Sequence, residues 1–143
     1  MCRVVLVRNH TVALQAAAAA KAADHVVLVV DNARDGGGEG HDRELISLSA
    51  NQIALANAVI AANPNTVLVL INGGIIAIDE LAASAPAIIE AFMPGVHGGT
   101  ALAETVFGDN NPGGKLPVTM CVTSTTSLFH LSMEAVPFNI VNC

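Results

Sequence analysis

Tryptophan and tyrosine are absent from this chain of 143 residues, and Phe92, Phe107, Phe129 and Phe138 are its only aromatics. A ligand that needs a flat stacking surface would have to find it on another chain or domain. Basic residues are also scarce, six Lys and Arg against twelve Asp and Glu, for a net charge of −6. No basic stripe exists to neutralise phosphates, so nucleic acid is a poor partner. No apolar run is long enough and free enough of polar residues to span a bilayer, and Met1–Val7 is too short for a signal peptide. Cys2, Cys121 and Cys143 are odd in number and lack metal-ligand spacing, which reads as buried or incidental thiols and leaves the compartment undefined. The five histidines (10, 25, 41, 97 and 130) are scattered as well, so neither a metal nor another cofactor is implied.

What is present is apolar. Hydrophobic residues make up 52% of the chain and charged residues 13%, which excludes disorder as the default state. A single domain of this length buries roughly 70% of its unfolded surface. Apolar runs alternate with helical patterns. Val4–Val7 suits a short strand. Thr11–Ala23 is alanine-rich and reads as a helix with Thr11 at its N-cap. His25–Val30 and Thr66–Ile71 are continuous β-branched runs of the kind buried on both faces of a parallel sheet. Between them, Ser49–Ala62 reads as a helix, with Ser49 and Gln52 spaced for a capping box and Asn63-Pro64-Asn65 as its stop. Ile78–Ser84 suits a short helix, Ala87–Phe92 a strand, Thr100–Phe107 a helix, and Lys115–Thr119 an extended segment. This order implies right-handed βαβ units: an α/β fold with a mainly parallel sheet flanked by helices, a three-layer sandwich. Residues 121–143 show no periodicity and read as a divergent tail after a domain spanning 1–120.

Three glycine-bearing loops follow Val30, Ile71 and Phe92. All leave the carboxyl ends of expected strands, the edge where parallel sheets hold ligands. The first is the most informative. Three consecutive glycines, Gly36 to Gly38, leave the backbone little restricted, and they deliver Glu39 into a loop with Arg34, Asp35, His41, Asp42 and Arg43. A lone carboxylate on a flexible arm suits a general acid reaching a bond held elsewhere, or simply a solvated loop charge. His41, Asp42 and Arg43 could contact sugar hydroxyls, or Asp42 and Arg43 could pair to brace the loop. Arg34 and Asp35 fit either role. His97 suits structural hydrogen bonding. A phosphate-binding loop fits poorly, because the glycine spacing is wrong and Glu39 would oppose a pyrophosphate. No G-x-S-x-G elbow occurs.

Several stretches carry a resemblance. They are Ala22-Ala-Asp-His-Val-Val-Leu-Val-Val30, Gly38-Glu-Gly-His-Asp-Arg43, Ala61-Ala-Asn-Pro-Asn-Thr-Val-Leu-Val-Leu70 and Asn72-Gly-Gly74. The most specific are Phe92-Met-Pro-Gly-Val-His-Gly-Gly99 and Phe107-Gly-Asp-Asn-Asn-Pro-Gly-Gly-Lys-Leu-Pro-Val-Thr119. In this order and spacing the chain resembles the C-terminal α/β sandwich domain of glycoside hydrolase family 3, the β-glucosidase and β-xylosidase family. The resemblance implies a retaining mechanism. Its nucleophile is an Asp on a separate (β/α)8 barrel, and Glu39 stands in the acid/base position. It also implies a β-linked glucoside or xyloside as substrate, for which Arg34, Asp35, His41, Asp42 and Arg43 are the candidate contacts beside Glu39. Family members are often secreted or periplasmic. The barrel is not within these residues, so a non-catalytic fragment or sugar-contacting partner module is the alternative.

The chain departs from the family pattern at four places. Asp31 stands where glycine is usual, and Leu48-Ser-Ala-Asn-Gln52 replaces Leu-Pro-Gly-x-Gln. Ile75 stands where proline is usual, and Cys121-Val-Thr-Ser-Thr125 replaces an aromatic Tyr-Pro type stretch.

Overall fold

A computed structural model of the chain describes residues 2–6, 10–31, 39–40, 43, 45–118, 120 and 140–142. Nine elements follow in chain order: β1 (Cys2–Leu6), α1 (His10–Lys21), β2 (His25–Asp31), α2 (Ala50–Ala62), β3 (Thr66–Ile71), α3 (Asp79–Ala82), β4 (Ala87–Glu90), α4 (Gly98–Phe107) and β5 (Ile140–Asn142). The strands form one sheet in the order β1-β2-β3-β4-β5, and every neighbouring pair is parallel. The β5 strand lies within the stretch read as a tail and pairs with β4 through Ile88 and Ile140.

Alternation along each strand splits the core into two layers. Val26, Leu28, Val30, Leu68, Leu70 and Ile88 face one side. There they meet Ala16 and Ala20 of α1, Leu55, Ala56, Val59 and Ile60 of α2, and Leu81 and Ala82 of α3. Val69, Ile89 and Ala91 face the other side, where Leu102 and Val106 of α4 pack. Helix, sheet and helix make the three-layer α/β sandwich. From β1 to β4 the strands advance one position at a time, so right-handed crossovers place α1, α2 and α3 on the same face. The second layer is thinner: Val27, Val29, Val67 and Ile71 remain half-buried.

Asn63 joins the first two helices. It caps α2 and is almost fully buried. Its side-chain amide donates to the carbonyls of Ala20 (2.9 Å) and Ala23 (2.7 Å), and its Oδ1 accepts the Asn65 N–H at 2.8 Å. The residue that stops α2 therefore also supplies donors to two carbonyls at the end of α1, of which that of Ala20 also accepts the Ala23 N–H at 3.1 Å.

Local expectations shift in four places. The first helix begins at His10, which puts Thr11 inside it rather than at its N-cap. Ser49 does occupy the N-cap of α2, but its side chain makes no capping bond. Gln52 is diverted, and its Oε1 accepts the Asp31 N–H at 3.2 Å. Strand β4 ends at Glu90, before Phe92 turns into the left-handed region at φ 48°. Helix α4 starts at Gly98, two residues earlier than expected. It closes on Gly108 at φ 82°, where the Asp109 N–H reaches back to the Glu104 carbonyl at 2.8 Å, an end that favours glycine.

Candidate functional site

Because β2, β3 and β4 are parallel, the loops that leave them emerge on one edge of the sheet. Three of the long apolar side chains exposed to solvent, Leu45, Met93 and Val96, belong to these loops. Glu39 and Gly40 form an exposed turn, with Gly40 at φ 80°. Arg34, Asp35, His41 and Asp42 lie outside the described residues.

Arg43 is half-buried and reaches across to the next loop. Its Nη2 lies 2.9 Å from where a Cβ on Gly74 would stand, so only glycine leaves room for the guanidinium. Its Nη1 is buried and has no hydrogen-bond partner among the described residues. Arg43 thus braces the loop by packing against the backbone of the β3–α3 connection.

Below this contact lies a group that the sequence reading did not single out. Glu90 is fully buried at the end of β4, on the face it shares with Leu70 and Ile88. Its Oε1 accepts the Phe92 N–H at 2.9 Å, which holds Phe92 in its unusual conformation. Its Oε2 lies 3.5 Å from Asn72 Nδ2. Asn72, also fully buried, donates its backbone N–H to the Phe92 carbonyl at 3.2 Å and its amide to the Gly74 carbonyl at 2.5 Å. Asn72 Oδ1 is buried without a hydrogen-bond partner among the described residues. Burial pushes the Glu90 carboxyl above the usual carboxylate range, against the opposing pull of the Phe92 and Asn72 donors. The sequence signal was a single charged residue closing the apolar run Ala87-Ile-Ile89, beside an asparagine that closes the neighbouring strand.

His97 occupies the N-cap of α4 but is exposed, and its side chain makes no capping bond. Its carbonyl accepts the Ala101 N–H at 3.0 Å, so its structural part is played by the backbone. A cavity of about 180 Å³ is lined by Ser47, Ile53 and residues 77–81, beside the single bridge between Ser47 and Ala77. Asp79 at its rim is raised above the usual carboxylate range by burial and then by Glu80. Among the described residues no cluster of three metal-ligating side chains occurs, and no helix is long and apolar enough to cross a membrane.

The family model of the glycosyl hydrolase family 3 C-terminal domain matches residues 6–137. This chain belongs to that family. The domain is 41% identical over 102 residues to an exo-α-(1→6)-L-arabinopyranosidase of Bifidobacterium longum, and 41% identical over 102 residues to a β-xylosidase of Formosa agariphila. Each alignment covers 71% of this chain and 14% of the relative. The crystal structure of a Bifidobacterium adolescentis family 3 β-glucosidase superposes with a TM-score of 0.77 at 31% identity, over 96% of this chain and 20% of that one. The family 3 domain described here therefore spans about a fifth or less of the length of these related proteins. The matched span contains Glu39 and Arg43, and also Asn72 and Glu90.

Proposed function

We propose that this family 3 domain carries the acid/base of a retaining β-glycosidase that acts on β-linked glucosides or xylosides. Glu39 is the acid. The observation that supports it is the placement of an exposed carboxylate, in a glycine turn, on the ligand-bearing edge of a parallel sheet. Retaining hydrolysis needs a second carboxyl about 5–5.5 Å away as nucleophile. In this reading an Asp on a (β/α)8 barrel outside these 143 residues supplies it.

The chemistry then divides between the two parts. The barrel Asp attacks the anomeric carbon while the Glu39 carboxyl gives its proton to the departing glycosidic oxygen. The sugar is left as an ester of the Asp. Glu39, now a carboxylate, takes a proton from water as that water attacks the anomeric carbon and releases the Asp. Arg43, and with it Arg34, Asp35, His41 and Asp42, would flank the leaving group. Relatives named for arabinopyranoside, xyloside and glucoside hydrolysis resemble this domain to a similar degree, 41%, 41% and 40% identical. That supports a division in which sugar identity is read elsewhere and proton transfer happens here.

Two assays test the proposal. The 143-residue chain alone should not turn over aryl β-glucosides or β-xylosides, and robust turnover would remove the need for a second domain. In a fusion to a family 3 barrel, Glu39→Ala should slow substrates with poor leaving groups by about 10²–10⁴-fold. Substrates with good leaving groups should suffer least, and azide should partly restore them. Unchanged hydrolysis of poor leaving groups would show that the acid is another residue.

A further inference from the structure

Glu90 lies too deep to touch a substrate, yet its contacts lead as far as Arg43, in the loop that carries Glu39. The Glu90 carboxyl holds Phe92 and approaches Asn72. The Asn72 amide holds the Gly74 carbonyl. Gly74 is the residue against which the Arg43 guanidinium lies, and Arg43 is four residues from Glu39. On the side of the third loop, the Met93 side chain lies 3.5 Å from where a Cβ on Gly73 would stand, beside the hydrogen bond from the Asn72 N–H to the Phe92 carbonyl. We propose that Glu90 is a positioning residue for the acid: through Asn72, Gly74 and Arg43 it sets where the Glu39 turn stands on the sheet edge.

Three physical points support this relay. Each group in it is buried or half-buried, where a polar group keeps its place only if its partners do. Phe92 is the one non-glycine residue with positive φ among the described residues, and such backbone persists only where its surroundings hold it. Arg43 and Asn72 each keep one buried polar atom without a hydrogen-bond partner among the described residues, so none of these holds either side chain at that atom. Their positions rest on the remaining contacts, and for both of them those contacts include Gly74. The relay takes its meaning from the reading of Glu39 as the acid, but it is testable without catalysis.

The test is nuclear magnetic resonance on the full 143-residue chain. The probes are the Arg43 Nε–H signal and the backbone amides of Glu39, Gly40, Asn72 and Phe92, with Leu28 and Val69 as reporters of the core. Glu90→Ala should shift the Arg43, Glu39 and Gly40 signals and speed exchange at the Phe92 amide by about tenfold or more, with Leu28 and Val69 unmoved. Glu90→Gln keeps an oxygen to accept the Phe92 N–H and should return most of these signals to their places. Gly74→Ala enters the relay further along. Its new methyl meets only the far end of a flexible arginine, so the fold should survive. Arg43, Glu39 and Gly40 should move while Phe92 does not. Should Glu90→Ala fail to fold, Asn72→Ala and Gly74→Ala decide the matter. The proposal is overturned if the variants perturb only residues 72–74 and 90–92 and leave Arg43, Glu39 and Gly40 in place. A fusion assay that removed Glu39 from catalysis would leave this coupling standing, and an absent coupling would leave the assay standing.

Discussion

Gln52 Oε1 accepts the backbone N–H of Asp31 at 3.2 Å, tying the first turn of α2 to the last residue of β2. The loop that carries Glu39 begins and ends at these two elements. Ser49 has the right type and spacing to take Gln52 in a capping box. The strand end takes Gln52 instead, and so one side chain closes the mouth of the connection between β2 and α2.

Gln52→Ala should therefore do more than weaken a helix. The loss of one partly buried hydrogen bond costs about 1 kcal/mol, and better helix propensity returns a few tenths of that. Urea titration should show a small net destabilisation, and the Asp31 amide should exchange faster while amides in the middle of β2 do not. Unchanged exchange at Asp31 would show that the strand end is held by other contacts.

Asn63 should be far less tolerant. Alanine there removes donors from the Ala20 and Ala23 carbonyls and an acceptor from the Asn65 N–H. The Ala20 carbonyl keeps the Ala23 N–H, so the loss falls on the Ala23 carbonyl and the Asn65 N–H and costs about 1–3 kcal/mol. Asn63→Asp should be at least as damaging, because it sets a carboxylate against two carbonyl oxygens. Chemical denaturation would measure both, and a loss below about 0.5 kcal/mol in either variant would show that water replaces the asparagine.

The regular parts of this fold were readable because they obey one rule each. His25–Val30 and Thr66–Ile71 are continuous apolar runs because a central parallel strand is covered on both faces. Ala-rich α1 meets that sheet through the small side chains Ala16 and Ala20, and α2 through Leu55, Ala56, Val59 and Ile60. What escaped notice depends on long-range partners. Phe92 reads as the end of a strand, and its left-handed turn exists because the Glu90 carboxyl holds its N–H. Gly98 and Gly99 read as loop, yet they open α4. The position of Glu39 came from motif resemblance, since an isolated loop carboxylate has no signature of its own. Arg43 was placed in the right loop, but its packing on Gly74 could not be read from spacing. Glu90 was passed over because a charge at a strand end ordinarily meets water, and here it does not.

The paired glycines at the start of α4 should respond oppositely to the same substitution. A Cβ on Gly98 would stand 2.5 Å from Pro94 Cγ and 2.7 Å from its Cβ, while on Gly99 it would meet nothing within 4 Å. The proline ring cannot retreat easily, because the Gly98 N–H is bonded to the Gly95 carbonyl at 3.2 Å within the same turn. Gly98→Ala should cost about 1–3 kcal/mol through overpacking. Gly99→Ala, in the first turn of the helix, should stabilise by about 0.5–1 kcal/mol. Thermal or urea unfolding of the pair provides the check, and equal effects would mean that the Pro94 turn is not rigid.

The fully buried Glu90 makes stability depend on pH in a direction opposite to that of a salt-bridged acid. Burial raises its folded-state pKa above the unfolded value of about 4.3. The folded protein therefore binds this proton more tightly than the unfolded chain does. The resulting stability is fully present below the unfolded pKa and is lost as pH rises through the folded one. The slope from this group reaches at most about 1.4 kcal/mol per pH unit. Asp79, raised in the same direction by burial and then by Glu80, adds contributions of its own to the trend. The curve to examine is therefore the difference between the parent chain and Glu90→Gln, in which those contributions cancel. That difference should fall as pH rises from about 4.3 and then level off above the folded pKa. A flat difference, or one that rises, would mean that Glu90 is charged in the folded protein and that a cation or water compensates it.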